Sequence, residues 1–241
     1  MQIIPAIDLI DGKCVRLIQG DYTQKKIYSH HPLEVALRFE EAGISRLHLV
    51  DLDGAKNGKL IHWNILEQLT THTRLLIDFG GGIQSDQDLK AVFESGAYMA
   101  TIGSIAVKKP ELFKNWIGRY GSEKILLGAD VKDEKILIHG WKQVTEISMW
   151  EFIKKKIAEG VEQLFCTDIA KDGLLSGPSV NLYRKIIQRF PNLKLIASGG
   201  INQLKDLKEL QALGCKGAII GKALYENKIQ LSELKNFTNP I

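Results

Sequence analysis

The chain repeats itself. Gly81-Gly82-Ile83 recurs 118 residues later as Gly199-Gly200-Ile201. At the same shift Asp88-Leu89-Lys90 becomes Asp206-Leu207-Lys208, Gly96 becomes Gly214, and Ile102-Gly103 becomes Ile220-Gly221. Ten of the 23 positions from Gly81 to Gly103 are identical to their partners. Asp51 matches Asp168 at a shift of 117, and Asp8, Asp11 and Lys13 match Asp130, Asp133 and Lys135 at 122. A period of about 120 residues is far longer than the unit of a solenoid. It is half of a 241-residue chain.

Short apolar runs punctuate both halves, at Ile3–Leu9, Arg46–Val50, Arg74–Phe79 and Tyr98–Ile102, then Lys124–Ala129, Gln163–Thr167, Lys194–Ala197 and Gly217–Ile220. Between them lie stretches with apolar residues at helical spacing: Leu33–Ala42, Asp86–Ser95, Met149–Glu159 and Leu204–Leu213. Gly96, Gly160 and Gly214 stop the last three, as glycine does just past a helix. Eight strands alternating with helices predict a parallel sheet, and eight is the number that closes a barrel. An open doubly wound sheet shares the alternation but gives no reason for the duplication. The expected fold is therefore one α/β domain, residues 1–241: a (β/α)8 (TIM) barrel of two half-barrels, about 1–122 and 123–241, with approximate two-fold symmetry.

Several classes of function are excluded. A net charge of +4 suits an anionic small molecule and is too small to argue for nucleic acid. Cys14, Cys166 and Cys215 are odd in number and widely spaced, which argues against a disulfide framework or a zinc site. His30-His31, His62 and His72 show no metal spacing and read as surface residues. The start lacks a basic segment followed by an apolar one, and no apolar run is long enough for a membrane span. A reducing cytoplasm is the expected location.

In such a barrel the residues just after each strand gather at one rim, where barrel enzymes keep their active sites. Asp8 ends strand 1 and Asp130 ends strand 5, so the two carboxylates should face each other across the mouth. Alternation puts Ile4, Ala6 and Asp8 on one face, and Leu126, Gly128 and Asp130 on one face. Two carboxylates in different surroundings can divide acid and base work. Gly81-Gly82 and Gly199-Gly200 follow strands 3 and 7, and Gly103-Ser104 and Gly221-Lys222 follow strands 4 and 8. Each opens into a helix, where free amides and the helix dipole suit an anion. Two such sites imply a ligand with a phosphate at each end.

The connections after strands 1 and 5 are long. The first holds Arg16, Gly20 and Asp21, the second Gly140-Trp141. Segments of this length read as lids or disordered loops. Trp141 either stacks on an aromatic part of the ligand or packs within its own loop. His48 either donates a hydrogen bond into the site or is a buried, satisfied histidine. Thr167-Asp168 ends strand 6 and Lys171-Asp172-Gly173 follows. Asp168 is expected to position the substrate or Asp130, with Thr167 and Gly173 beside it.

Taken together, Pro5-Ala6-Ile7-Asp8, Asp11-Gly12-Lys13, Arg16-Leu17, Gln19-Gly20-Asp21-Tyr22 and Val50-Asp51-Leu52-Asp53-Gly54-Ala55 resemble one enzyme family. Gly80-Gly81-Gly82-Ile83, Gly140-Trp141, Thr167-Asp168-Ile169, Lys171-Asp172-Gly173 and Ala197-Ser198-Gly199-Gly200-Ile201 extend the likeness over essentially the whole chain. The family is the phosphoribosylformimino-aminoimidazole carboxamide ribotide isomerases of histidine biosynthesis. The resemblance implies an aldose–ketose isomerase performing an Amadori rearrangement. Its substrate carries phosphates at both ends, and it acts without metal or organic cofactor as a monomer. It further implies Asp130 as general acid for ring opening, Asp8 as general base at the ribose C2, and Trp141 as a cover for the imidazole carboxamide. The related cyclase subunit of imidazole glycerol phosphate synthase is the alternative. It carries Cys where Ala6 stands and a Lys near Val15-Arg16. Gln84 and Ala129 depart from the isomerase pattern, which has Arg and Leu there.

Overall fold

In a computed structural model that describes residues 1–141 and 143–237, the eight apolar runs form eight parallel strands. Numbering all twelve strands along the chain, these are β1 (Gln2–Ile10), β4 (Arg46–Asp51), β5 (Leu76–Gly80), β6 (Met99–Ile102), β7 (Ile125–Lys132), β10 (Gln163–Asp168), β11 (Lys194–Ser198) and β12 (Gly217–Ile220). They run in that order around a closed ring. β1 pairs with β12 (Gln2 opposite Gly217) and with β4 (Ala6 opposite His48), and β7 pairs with β10 (Asp130 opposite Thr167). The sheet is thus a barrel, not an open sheet.

Helices fill the outside. α1 (Pro32–Glu41), α4 (Asp86–Glu94), α7 (Met149–Ala158) and α9 (Leu204–Leu213) fall where the periodicity predicts them. α3 (Trp63–His72), α6 (Pro110–Tyr120) and α8 (Val180–Arg189) complete the long ones, with short helices α2 (Leu52–Asn57), α5 (Ser104–Lys108) and α10 (Lys222–Tyr225) at strand ends. The apolar core has two layers. A large one lies between strands and helices, and a small one inside the barrel comprises Ile4, Ala6, Met99, Leu126, Phe165, Ile196 and Ile219. Gly128 lies opposite Phe165, and a Cβ on it would come within 2.7 Å of that ring. The missing side chain lets the phenyl group fill the interior.

The two long connections are not loops. β1 turns directly into β2 (Lys13–Ile18) and β3 (Asp21–Ser29), and β7 into β8 (Lys135–Ile138) and β9 (Gln143–Ser148). The turns are Asp11-Gly12 with φ of 52° and 72°, and Asp133-Glu134 with φ of 52° and 59°. Two successive residues at positive φ form the two-residue turn whose twist matches a hairpin. The repeated Asp11 and Asp133 therefore belong to turns.

Other repeated residues prove to be scaffold. Asp88 accepts the Gln84 amide at 3.0 Å, and Asp206 accepts the Asn202 amide at 2.8 Å. Each fastens a glycine loop to the helix that follows it. Buried Asp51 accepts the amides of Gly54, Ile61 and His62 at 2.7, 2.9 and 2.9 Å. His30, His31 and His72 are exposed, as read from the sequence. His62 is not: its ring is largely covered and pairs with Asp53 at 2.8 Å.

Gly81 has φ of 102°, and a Cβ there would lie 2.1 Å from the Asp51 carbonyl oxygen. Neither the backbone angle nor the neighbouring backbone can yield cheaply. Gly81→Ala is expected to destabilise the fold by about 3 kcal/mol or more. Urea unfolding followed by circular dichroism measures this, and an unchanged midpoint would show that the loop can relax.

Candidate active site

Around the ring, β7 is four strands from β1 in either direction, so Asp8 and Asp130 face each other across the mouth. Both line a cavity of about 250 Å³. The same cavity takes Arg16, Gly20, His48, Gly81, Gly82, Gly103 and Ser104 from the first half. Trp141, Thr167, Gly173, Gly199, Gly200, Gly221 and Lys222 come from the second. Strand alternation and barrel closure thus gather all the expected site residues but one.

The exception is Asp168, which does not line the cavity. Its carboxylate accepts the Ser179 hydroxyl and, at 3.1 Å, the Ala170 amide. It caps its loop as Asp51 does in the other half. The carboxylate that reaches the cavity from this loop is Asp172, four residues on. Asp172 had no assigned role in the sequence reading. The available signal was an Asp-Gly pair just beyond a strand end, which marks a turn but not the direction of its side chain.

The acidic groups sit in different surroundings. Asp8 forms an ion pair with Arg16 Nη1 at 2.7 Å, and Arg16 Nη2 donates to the Ala6 carbonyl. The guanidinium sits 5.5 Å from the centre of the Tyr225 ring and close against Gly221, where a Cβ would be 2.4 Å from its central carbon. Asp130 is half-buried in the cavity wall, and desolvation raises its pKa above the ordinary carboxylate range. Hydrogen bonds from Trp141 and Thr167 and the nearby His48 oppose this only in part. Asp172 is pushed up to about 6, chiefly by burial. Arg16 opposes this, while the charges of Asp8 and Asp130 add to it. The arrangement offers one ion-paired carboxylate facing two carboxyls whose pKa values are raised, which suits paired acid–base chemistry.

Trp141 settles on neither expected place alone. Its ring lines the cavity and bonds Asp130 while packing on Gly20 of the opposite hairpin, whose Cβ would lie 2.5 Å from it. His48 combines both readings as well. It is 6% exposed, paired with Asp78, and still part of the cavity wall.

The glycine loops have matching backbones. Gly81 and Gly199 have φ of 102° and 90°, and Gly82 and Gly200 have 81° and 78°. Gly103 and Gly221 have φ, ψ of −109°, −92° and −112°, −96°. In the first half, Ser104 Oγ accepts the His139 amide at 2.9 Å. In the second, Lys222 Nζ donates to the Gly173 carbonyl at 2.7 Å. Gln84 lines the cavity, and Lys109 Nζ donates to its carbonyl at 3.1 Å, which sets a cation beside this loop.

The chain matches the family described as histidine biosynthesis protein over residues 2–230. It is 56% identical over 237 residues to 1-(5-phosphoribosyl)-5-((5-phosphoribosylamino)methylideneamino) imidazole-4-carboxamide isomerase of Flavobacterium psychrophilum, covering 98% of each chain. It is 54% identical over 238 residues to the isomerase of the same name from Parabacteroides distasonis, covering 99% of this chain and 100% of the relative. The likeness to that of Bacteroides thetaiotaomicron is 53% over 237 residues, covering 98% of this chain and 99% of the relative.

Proposed function

The chain belongs to the histidine biosynthesis protein family, and from that premise we propose how its cavity performs an Amadori rearrangement. It is an isomerase of histidine biosynthesis, as the shared name of relatives 53–56% identical supports. That name does not favour a cyclase subunit. The substrate is 1-(5-phosphoribosyl)-5-((5-phosphoribosylamino)methylideneamino) imidazole-4-carboxamide, an aminoaldose with a phosphate at each end. The product is its phosphoribulosyl isomer.

The observation that carries the chemistry is the pair of facing carboxyl groups in unlike surroundings. Asp130, its pKa raised by desolvation, is the general acid. It protonates the ribose ring oxygen, and the ring opens to a protonated imine. Asp8, opposite and ion-paired with Arg16, is the general base and removes the C2 proton. The imine is the electron sink, so the reaction needs no metal or organic cofactor. The electrons settle into an enaminol, which becomes the ketone. Asp172 is a second acid within the same cavity, and its value of about 6 suits proton exchange near neutrality. Trp141 covers the imidazole carboxamide, and its contact with Gly20 supports the two hairpins closing together. Thr167 orients Asp130 through their hydrogen bond.

The phosphates bind at the glycine loops. One lies at Gly82 and Gly103-Ser104, with Lys109 nearby, and the other at Gly200 and Gly221-Lys222 beside Arg16. The matching dihedral angles support reading the barrel as half-barrels of about 1–122 and 123–241. Among the described residues no helix is long and apolar enough to cross a membrane. All three thiols are buried and unpaired, which fits a reducing cytoplasm.

Two measurements test this reading. The purified chain alone, without ammonia or a second subunit, should convert the aminoaldose to the aminoketose, followed by absorbance. No turnover would sink the isomerase reading. A crystal soaked in phosphate should show two anions, one at each pair of loops. A single occupied site, or anions elsewhere, would count against a bisphosphate.

A further inference from the structure

Inside the barrel, one side carries charge where seven apolar residues fill the rest. Arg46 and His48 point inward from β4, and Asp78 points inward from β5 directly opposite His48. Asp78 is fully buried, and Arg46 is 5% exposed. Three donors engage the carboxylate. Arg46 Nε reaches Oδ2 at 2.9 Å, while Thr101 Oγ1 at 3.2 Å and His48 Nδ1 reach Oδ1. Arg46 is held in turn by Gln2 Oε1 at 3.2 Å and by the Met99 sulfur at 3.3 Å. Phe165 packs edge-on against the imidazole, with ring centres 5.3 Å apart. Nothing in the acid–base chemistry above uses Arg46 or Asp78.

A buried cluster of this kind is expensive to desolvate, and apolar residues would fill the same space at lower cost. Its geometry has a specific effect. The Arg46 guanidinium and the hydrogen bonds from Thr101 and His48 keep Asp78 a carboxylate. A carboxylate only accepts hydrogen bonds, so the ring nitrogen facing it must carry the hydrogen. Arg46 already balances the carboxylate's charge, so a second full positive charge on the imidazole is not required. The other ring nitrogen, Nε2, is then left toward the cavity that His48 lines. The charged groups around the ring are Arg46 from β4, Asp78 from β5 and Asp130 from β7.

We propose that Asp78, out of reach of the substrate, is a positioning residue that, with Arg46 and Thr101, locks His48 in the tautomer with hydrogen on Nδ1, so that a bare Nε2 accepts a hydrogen bond from a hydroxyl of the opened sugar. The inference rests on the isomerase reading for its ligand, and on geometry alone for the tautomer.

The test has two arms. In ¹⁵N-edited NMR at about pH 8, above the ordinary imidazole range, His48 should show a protonated Nδ1 and a bare Nε2. The signal is assigned by its loss in His48→Asn. Asp78→Asn should move the ring toward the other tautomer. Wild-type protein with hydrogen on Nε2, or an Asp78→Asn protein with an unchanged pattern, overturns the proposal. This arm needs no turnover, so it stands apart from failure of the isomerase reading. In the kinetic arm, Asp78→Asn and His48→Asn should each lower kcat about 10-fold, and the double variant should lose no more than His48→Asn alone. A full further loss in the double variant would show that Asp78 acts through packing instead. If Asp78→Asn does not fold, Thr101→Val removes one donor from the same oxygen. With its competitor for that oxygen gone, His48 should keep its hydrogen on Nδ1, and a ring with hydrogen on Nε2 in this variant overturns the proposal.

Discussion

Asp8→Asn should lower kcat about 10²–10⁴-fold, the range that a positioned base contributes, while Kd for the bisphosphate substrate changes little. The amide keeps the shape of the carboxylate and still offers an oxygen to Arg16 Nη1, now 2.7 Å from the acid. It cannot take a proton from carbon. Affinity is expected to rest on the four glycine loops, which lie on other strands and do not touch Asp8. Stopped-flow turnover and equilibrium binding of the aminoketose product separate the two effects. A kcat near that of the unaltered chain would remove Asp8 from the mechanism, and a loss confined to KM would reassign it to binding.

Asp130→Asn should cost a similar factor, but the residual activity should differ in kind. The variant loses the acid for ring opening, so a substrate already opened to the imine should still turn over. In the Asp8→Asn variant it should not. Asp172 remains in the cavity as a second carboxyl, raised to about 6. Its acid form is present below that value and lost as pH rises through it. The charge of Asp130 is one of the causes of this elevation, so removing it should lower the Asp172 value. The residual activity of Asp130→Asn should therefore fall away above a pH at or below about 6. Asp130→Asn/Asp172→Asn should abolish that limb. A pH profile unchanged between the single and double variants would exclude Asp172 as a proton donor.

Much of this was legible in the sequence because of physical regularities. Period-two alternation sets which residues of β1 and β7 face inward, and the 122-residue offset ties Asp8 to Asp130. The glycine loops were readable because close backbone approach and positive φ admit little else. The hairpins were missed although Asp11-Gly12 is a strong turn signal. Asp133-Glu134 adopts the same turn without glycine; β8 beyond it is a short buried run and β9 is mostly exposed, so no apolar alternation marks the pair. Asp168 was misplaced for a different reason. Repetition reveals that a residue is kept in both halves but not why, and Asp51, Asp88, Asp168 and Asp206 are all kept to cap loops. Arg46 and Asp78 share the inward faces of β4 and β5. Their partnership depends on the register between strands, which only the closed barrel supplies.

That closure also bears on how the chain is made. The edge of β1 from Gln2 to Pro5 finds its partner only in β12, beginning at Gly217. Residues synthesised first must wait for residues synthesised more than two hundred positions later. Until then the nascent protein carries an open strand edge of Gln2-Ile3-Ile4-Pro5, and open apolar edges invite pairing with other chains. Such long-range pairing is also slow to form. During synthesis, Pro5 offers some protection, because it has no amide hydrogen to extend a foreign sheet. Protein released before β12 is complete should therefore be prone to aggregation and open to chaperone capture. Closure of the barrel's last edge thus belongs to four residues, Gly217 to Ile220.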